Sequence, residues 1–336
     1  MPYRRECPDN SGRYRRGDRP LFALCIEASH AKGFGHLYRM LNLARELRSR
    51  SMPCIFVCNP DSVAQEVLRA SGMQVAAAEV TDATSSWERT IVSQFGVTAW
   101  INDRLDTDKR HAARLKSLNV RTITFDDDGE GAPLYDLHIA ALAMIQGKQP
   151  KGRRVLSGLE YLVLDPAIVG LRRKRNEGGR WVVCLGGADT YGVTVRVVEL
   201  LKGSSANVTV LLGPAFRHDA ELGRVIPGRF DIKRAVSSVP IELAAHDVAV
   251  TGGGITAFEA CCSGLPTIVV ANERHEVPLG LHLERLGCAR FAGHYTSVTA
   301  EPFTKPLPIV DMSEAGLKRV PATGLGAVCD ELQALM

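Results

Sequence analysis

The sequence predicts an α/β protein made of two successive halves, each a parallel sheet wrapped by helices, that face one another across a cleft. Apolar runs of strand length alternate with helical periodicity along most of the 336 residues, enough chain for about two domains. The alternation restarts after a basic, glycine-containing stretch at 172–180, so the series occurs twice. Two glycine-rich segments each stand between a strand and a helix, the position at which open parallel sheets bind ligands.

In the first half, strands are expected over 21–26, 53–58, 74–78, 98–101 and 120–125, with helices over 36–50, 62–71, 85–95 and 106–118. Further strands are expected at 137–143 and 160–164. The stretches 147–154 and 172–180 are basic and lack an apolar period, and the second is the better boundary. Strands follow at 181–185, 208–212, 230–232, 248–250 and 267–270, with helices near 193–201, 241–245, 255–263 and 278–286. The expected division is therefore a basic arm at 1–20, a first α/β domain at 21–172, a second at 173–310, and a segment at 311–336. That last segment is expected to include a helix packing back on the domains.

A hydrophobic content of 45% and a net charge of +4 describe a soluble globular chain with an ordinary core, and give no sign of specific nucleic-acid binding. The positive excess is local: Arg4, Arg5, Arg13, Arg15, Arg16 and Arg19 lie among Pro, Gly, Asp and Ser. This stretch has no apolar segment of a secretory signal, and reads as a disordered arm that docks a pathway-enzyme partner, with RNA or an acidic surface as the alternatives. No run approaches the roughly 18 apolar residues of a membrane span. The nine cysteines are odd in number and form no C-x-x-C pair. Cys54 and Cys58 lack a second pair to complete a zinc site, so buried free thiols in a reducing cytoplasm are expected.

The segment Gly33-Phe34-Gly35-His36-Leu37-Tyr38-Arg39 joins the first strand to the first helix. A helix N-terminus offers free N–H groups to an anion and leaves an imidazole suited to accept a proton. A glycine turn with a capping histidine is the alternative. The segment is not a dinucleotide fingerprint, because Tyr38 stands where the third glycine belongs, and no P-loop is present. The second loop, Thr251 to Glu259, carries Gly252, Gly253 and Gly254 into a helix. There the backbone can approach a pyrophosphate, and Glu259 lies one turn on, suited to the hydroxyls of a ribose. A plain strand-to-helix turn is the competing explanation. Gly186 and Gly187 form a smaller loop across the cleft from His36. Asp103, Asp126 and Asp127 end two strands of the first half, where carboxylates can orient a histidine, a water or sugar hydroxyls. Solvated loop acids are the alternative, and the D-x-D of Asp126–Asp128 as a metal site is inferior to the separate glycine loop. His275 follows the strand at 267–270 and is expected to face the cleft.

These residues together resemble the nucleotide-sugar hydrolases of the pseudaminic acid pathway, which cleave UDP-2,4-diacetamido-2,4,6-trideoxy-β-L-altropyranose, and their spore-coat polysaccharide biosynthesis relatives. The resemblance spans 21–294. It rests on Gly33-x-Gly35-His36-x-x-Arg39, Asp103, Phe125-Asp126-Asp127, Gly158-x-x-Tyr161-x-x-Leu164, Gly186-Gly187, Gly213-Pro214 and Gly252–Glu259 followed by Gly264-Leu265-Pro266. The second half is also similar to the glycosyltransferases that add N-acetylglucosamine to the lipid-linked peptidoglycan precursor. The resemblance implies two Rossmann-like domains of GT-B architecture, with no metal or cofactor. It implies a nucleotide sugar on Val236, Gly253, Gly254, Ile255, Thr256 and Glu259, with a backbone contact to the base near Ala235. The sugar would face the first domain, with His36 as the catalytic base. The expected sugar contacts are Gly33, Gly35, Arg39, Asp126, Asp127, Gly186 and Gly187. Asp103 is read from its place at a strand end, apart from the resemblance, as orienting the water or the histidine. Cys25-Ile26-Glu27, Asp165 and Phe258 depart from the R-x-D, arginine and asparagine that the hydrolases commonly carry at those places.

The expected function is hydrolysis of a probable UDP-sugar at its anomeric carbon, for surface polysaccharide or nonulosonic acid synthesis. The alternative is a GT-B glycosyltransferase using the same kind of donor with a sugar or lipid acceptor. A non-catalytic nucleotide-sugar-binding subunit is the third.

Overall fold

The computed structural model describes residues 20–27, 35–234 and 236–336. The arm at 1–19, Gly33 and Ala235 lie outside the described residues. Strands β1 (Phe22–Ile26), β2 (Cys54–Cys58), β3 (Val75–Ala77), β4 (Ala99–Asp103), β5 (Arg121–Phe125), β6 (Leu137–Ala140) and β7 (Arg154–Ser157) form a seven-stranded sheet in the order β3-β2-β1-β4-β5-β6-β7. Strands β8 (Arg180–Cys184), β9 (Asn207–Leu212), β10 (Asp231–Arg234), β11 (Val248–Thr251), β12 (Thr267–Ala271) and β13 (Ala289–His294) form a six-stranded sheet in the order β10-β9-β8-β11-β12-β13. Every pairing in both sheets is parallel. Strands β1, β2 and β4 are buried at every position, which is why they read as unbroken apolar runs.

The first sheet carries α1 (Gly35–Ser49), α2 (Ser62–Ala70), α3 (Trp87–Phe95) and α4 (Lys109–Ser117). A short α5 (Ile168–Leu171) precedes the second sheet, which carries α6 (Val193–Leu201), α7 (Asp219–Val225), α8 (Val239–Ala244), α9 (Ile255–Cys262), α10 (Val277–Arg285), α11 (Glu301–Thr304) and α12 (Ile309–Arg319). The last helix, α13 (Gly324–Leu335), returns to the first lobe. It packs Leu325, Val328, Cys329 and Leu332 into the core that holds Leu37, Met40 and Leu47 of α1. A further apolar cluster bridges the lobes, joining Leu142, Leu162, Leu164 and Ile168 to Phe258, Leu279 and Leu283. Removing such area from water is the main force holding the two lobes together.

The strand order reverses between β1 and β4 in the first sheet, and between β8 and β11 in the second. These are the switch points at which crossovers leave to opposite faces and open a crevice beyond the strand ends.

Several expected elements differ. Residues 160–164 are not a strand: Leu159–Tyr161 is a 3-10 turn, and Leu162 and Leu164 enter the interlobe core instead. The seventh strand is Arg154–Ser157, at the end of the basic stretch. As an edge strand it is half exposed, so no apolar pattern marks it. β13 has no expected counterpart for the same reason, being an edge that carries Arg290 and Gly293. β6 stops at Ala140, short of 143, because the Asp126 carboxylate takes the N–H groups of Leu142 and Ala143 and turns the chain away from the sheet. Helix α4 starts at Lys109 rather than 106, where Asp108 accepts from Arg110 N and His111 N as an N-cap.

The return of α13 depends on close backbone approach at its first residue: a Cβ on Gly324 would fall 2.1 Å from the carbonyl oxygen of Leu162. Gly324→Ala is therefore expected to cost roughly 1–3 kcal/mol and to lower the thermal midpoint by a few degrees. An unchanged midpoint would show that α13 is not held in this register.

Candidate functional site

Each strand-end loop facing the cleft contributes to one cavity between the lobes. Gly35, His36 and Arg39 enter it after β1, Leu105 after β4, Asp126 after β5, and Leu142 and Gln146 after β6. Opposite them stand Leu185 to Tyr191 after β8, Gly252, Gly254, Ile255 and Thr256 after β11, and Asn272, Glu273, His275, Glu276 and Leu279 after β12. The cavity thus lies between the two switch points.

On the first lobe a single connected set of charges fixes His36. Side chains alternate across a strand, so neighbouring Asn102 and Asp103 point to opposite faces of the sheet. Asn102 turns to the covered face, where it accepts from Trp100 Nε1 at 3.0 Å and donates to the hydroxyl of Tyr135. Asp103 turns to α1. Its Oδ1 meets His36 Nδ1 at 2.9 Å and an Arg39 guanidinium nitrogen, and its Oδ2 accepts from Arg39 Nε at 2.9 Å. The third Arg39 nitrogen reaches Asp126 Oδ2 at 2.7 Å. Arg39 and both carboxylates are buried.

Burial alone would raise the Asp103 carboxyl, but the charges of Arg39 and His36 outweigh it and hold it down to about 2. The ionised carboxylate can only accept, so His36 Nδ1 must be the donor. Nε2 is then the nitrogen left for the cleft that His36 lines. Burial would lower the Arg39 guanidinium, and its two carboxylate partners raise it instead. Arg39 was expected to bind substrate. Each of its three nitrogens bonds Asp103 or Asp126, and the residue also lines the cavity wall.

On the second lobe the helices α6 and α9 both begin beside the cavity, and their N-termini differ. At α6 the carboxylate of Asp189 accepts from Val193 N at 2.7 Å and Thr194 N at 2.8 Å, filling the end with an internal anion. At α9 the N-cap is Gly254, with no side-chain cap. The favourable end for an incoming anion is therefore that of α9, at Ile255 and Thr256.

The glycines before it have a second explanation besides a ligand. A Cβ on Gly252 would lie 2.7 Å from Asn272 Nδ2, and one on Gly253 would lie 2.7 Å from Glu276 Cβ. The loop packs against the segment after β12, and one oxygen of Glu276 accepts from Gly253 N at 3.2 Å and Asn272 N at 2.7 Å. Burial raises the Glu276 carboxyl, and these N–H bonds pull it partly back.

Not every expected residue reaches the cavity wall. Asp127 is buried behind it, accepting from Thr107 N, Gly129 N and Thr124 Oγ1 to hold the loop after β5. Val236 packs beside Leu243 in a small core cluster. Gly253 is buried under Glu276, whereas Gly186 and Gly187 line the cavity. Glu259 is buried one turn along α9, where it accepts from Asp165 N at 3.3 Å at the crossing between lobes. Residues at the wall with no counterpart among the expected site residues include Leu105, Gln146, Tyr191, Asn272 and Glu276. All follow strands, which is the positional signal that could have located them.

Comparison with known proteins places the fold and leaves the family open. No family model matches the chain. An uncharacterized protein of Methanocaldococcus jannaschii is 24% identical over 272 residues, covering 74% of this chain and 55% of that protein. The spore coat polysaccharide biosynthesis protein SpsG of Bacillus subtilis is 24% identical over 269 residues, covering 74% of this chain and 77% of its own. The chain thus spans only about half the length of the archaeal relative.

Among solved structures, Acinetobacter baumannii MurG superposes with a TM-score of 0.65 at 12% identity, over 94% of this chain and 100% of that one. The spinosyn rhamnosyltransferase SpnG complexed with thymidine diphosphate gives 0.66 at 15% identity, over 93% and 99%. The chain has a two-domain α/β GT-B fold. None of these proteins is described as a hydrolase.

Burial, and then the Asp165 charge, raise the Glu259 carboxyl to about 7 from an ordinary value of 4.5, with the N–H of Asp165 offsetting part. A carboxyl raised on folding stabilises fully below its unfolded value, and that contribution is lost as the pH rises through the folded one. Between pH 5 and 8 the wild-type protein is therefore expected to lose roughly 2 kcal/mol relative to Glu259→Gln, measured by urea unfolding at each pH. Parallel stabilities across that range would contradict the placement of this carboxyl.

Proposed function

We propose that the chain is a glycosyltransferase of the GT-B type that draws a glycosyl unit from a nucleotide sugar bound in the interlobe cleft. The observation that carries this is one arrangement: His36, oriented through Nδ1 by Asp103, lines the same cavity as the uncapped N-terminus of α9. The likeness to SpnG complexed with thymidine diphosphate, and the spore coat polysaccharide role in the name of the SpsG relative, support the same reading.

In the proposed step the diphosphate lies against the N–H groups of Ile255 and Thr256, which with the helix dipole favour its growing charge as it departs. His36 Nε2 takes the proton of an acceptor hydroxyl, whose oxygen bonds to the anomeric carbon. The bond from that carbon to the diphosphate oxygen breaks, and the nucleoside diphosphate leaves with the bonding pair. Asp103 stabilises the imidazolium formed, and Arg39 holds Asp103 in place. Eight described cysteines, all buried free thiols, fit a reducing cytoplasm as the site of action.

Hydrolysis is the second reading, favoured by Gly35-His36-x-x-Arg39, Asp103 and Phe125-Asp126-Asp127, which resemble the pseudaminic acid pathway hydrolases. The same histidine would then activate water. The two separate by acceptor dependence, measured by mass spectrometry on UDP-, GDP- and CMP-sugars with and without saccharide acceptors. Donor consumption is expected to require an acceptor, and His36→Ala to lower it by about 100-fold or more. Undiminished cleavage without acceptor would transfer the assignment to hydrolysis. Unchanged turnover in His36→Ala would overturn both.

A further inference from the structure

Two side-chain amides face the cleft from opposite lobes, and both are half satisfied. Gln146 lies in the turn after β6, and its Nε2 donates to the main-chain oxygen of His275 across the cleft at 3.2 Å. Asn272 follows β12, and its Nδ2 donates to the main-chain oxygen of Leu185 at 3.3 Å. A carbonyl oxygen only accepts, so each partner dictates which way round its amide sits. The remaining atoms, Gln146 Oε1 and Asn272 Oδ1, are closed off from solvent and have no hydrogen-bond partner among the described residues. Buried acceptors left unpaired are rare and unfavourable in folded proteins, so a pair of them at one cavity calls for an explanation.

Each amide is also held relative to one end of the proposed chemistry. The turn bearing Gln146 is tied to Asp126, which accepts from Leu142 N at 2.7 Å and Ala143 N at 3.2 Å, and Asp126 binds Arg39 beside Asp103 and His36. Asn272 donates its main-chain N–H to Glu276, which also takes Gly253 N of the glycine loop. Gln146 and Asn272 line the same cavity as His36 and the glycine loop.

We propose that Gln146 and Asn272 form the glycosyl-recognition subsite of this cleft, one that selects a sugar presenting O–H or N–H donors to their free oxygens. The inference rests on the nucleotide-sugar reading and deepens it. The sugars that fit carry hydroxyls or an acetamido N–H at the recognised positions. Sugars with only acceptor or apolar substituents there leave both amide oxygens unpaired.

The test begins with calorimetric titration of the full chain with UDP, GDP and dTDP. The tightest binder selects a donor series: its hexose conjugate, and the conjugates with fluorine replacing a single hydroxyl at C2, C3, C4 or C6. Fluorine keeps the size of the hydroxyl but cannot donate. At least one fluorinated donor is expected to bind wild type about 10-fold or more weakly than its parent. That penalty should shrink to within about two-fold in Gln146→Leu or in Asn272→Leu. The free nucleoside diphosphate should bind wild type and Gln146→Leu alike, which also shows that this variant folds, and a thermal midpoint near that of wild type shows the same for Asn272→Leu; Gln146→Met, closer in length, serves if Gln146→Leu does not fold. Equal binding of parent and fluorinated donors, or a penalty that survives in both variants, overturns this proposal and leaves the nucleotide-sugar reading standing. Failure of all three nucleoside diphosphates to bind overturns that reading and the proposal with it.

Discussion

The buried guanidinium of Arg39, shared between Asp103 and Asp126, is the contact on which the proposed site turns. It joins α1 to the ends of β4 and β5, so the helix carrying His36 cannot shift without separating buried charges. Removing one partner of such a set is far costlier than never having built it, because the remaining charges stay desolvated. The ion pairs therefore do not explain why the protein folds; apolar burial does that. They explain why one imidazole is held in one orientation at the edge of a cleft. Asp126 extends the set by turning the chain after β6, which brings Gln146 to face the second lobe.

The second lobe sets the starts of α6 and α9 apart by the simplest electrostatic means. Asp189 fills one with a carboxylate of the chain itself, and glycine leaves the other uncapped. Both follow strands at a topological switch point, so position alone would have nominated either. The presence of an internal anion makes the difference. The glycine loop is accordingly shaped by two demands: approach to the segment after β12, where Glu276 and Asn272 leave no room for side chains, and an uncapped helix beyond it.

The strands with both faces covered were legible from sequence because burial imposes the same demand at each residue: Phe22–Ile26, Cys54–Cys58 and Thr267–Ala271 read as apolar runs and are buried throughout. The edge strands Arg154–Ser157 and Ala289–His294 were not, since half their surface answers to water. In the site, His36, Asp103 and the glycine loop could be found by their place after strands. What the chain order could not reveal was occupancy. Arg39 and Asp127 have the residue types of ligand contacts but bond groups of the first lobe, and Glu259 is turned toward Asp165. Conversely, Gln146 and Asn272 carry no motif; their place after strands is the signal in the sequence, and their half-made hydrogen bonds single them out in the structure.

The central claim is that Asp103 accepts the Nδ1 proton of His36 and thereby leaves Nε2 unprotonated toward the cleft. The nitrogen shifts of the His36 ring report this directly, in protein labelled with ¹⁵N-histidine and assigned by comparison with His36→Gln, at a pH where the ring is neutral. A protonated Nδ1 and a bare Nε2 are predicted, with the preference weakened in Asp103→Asn. A proton resident on Nε2 in the wild-type protein would contradict the account.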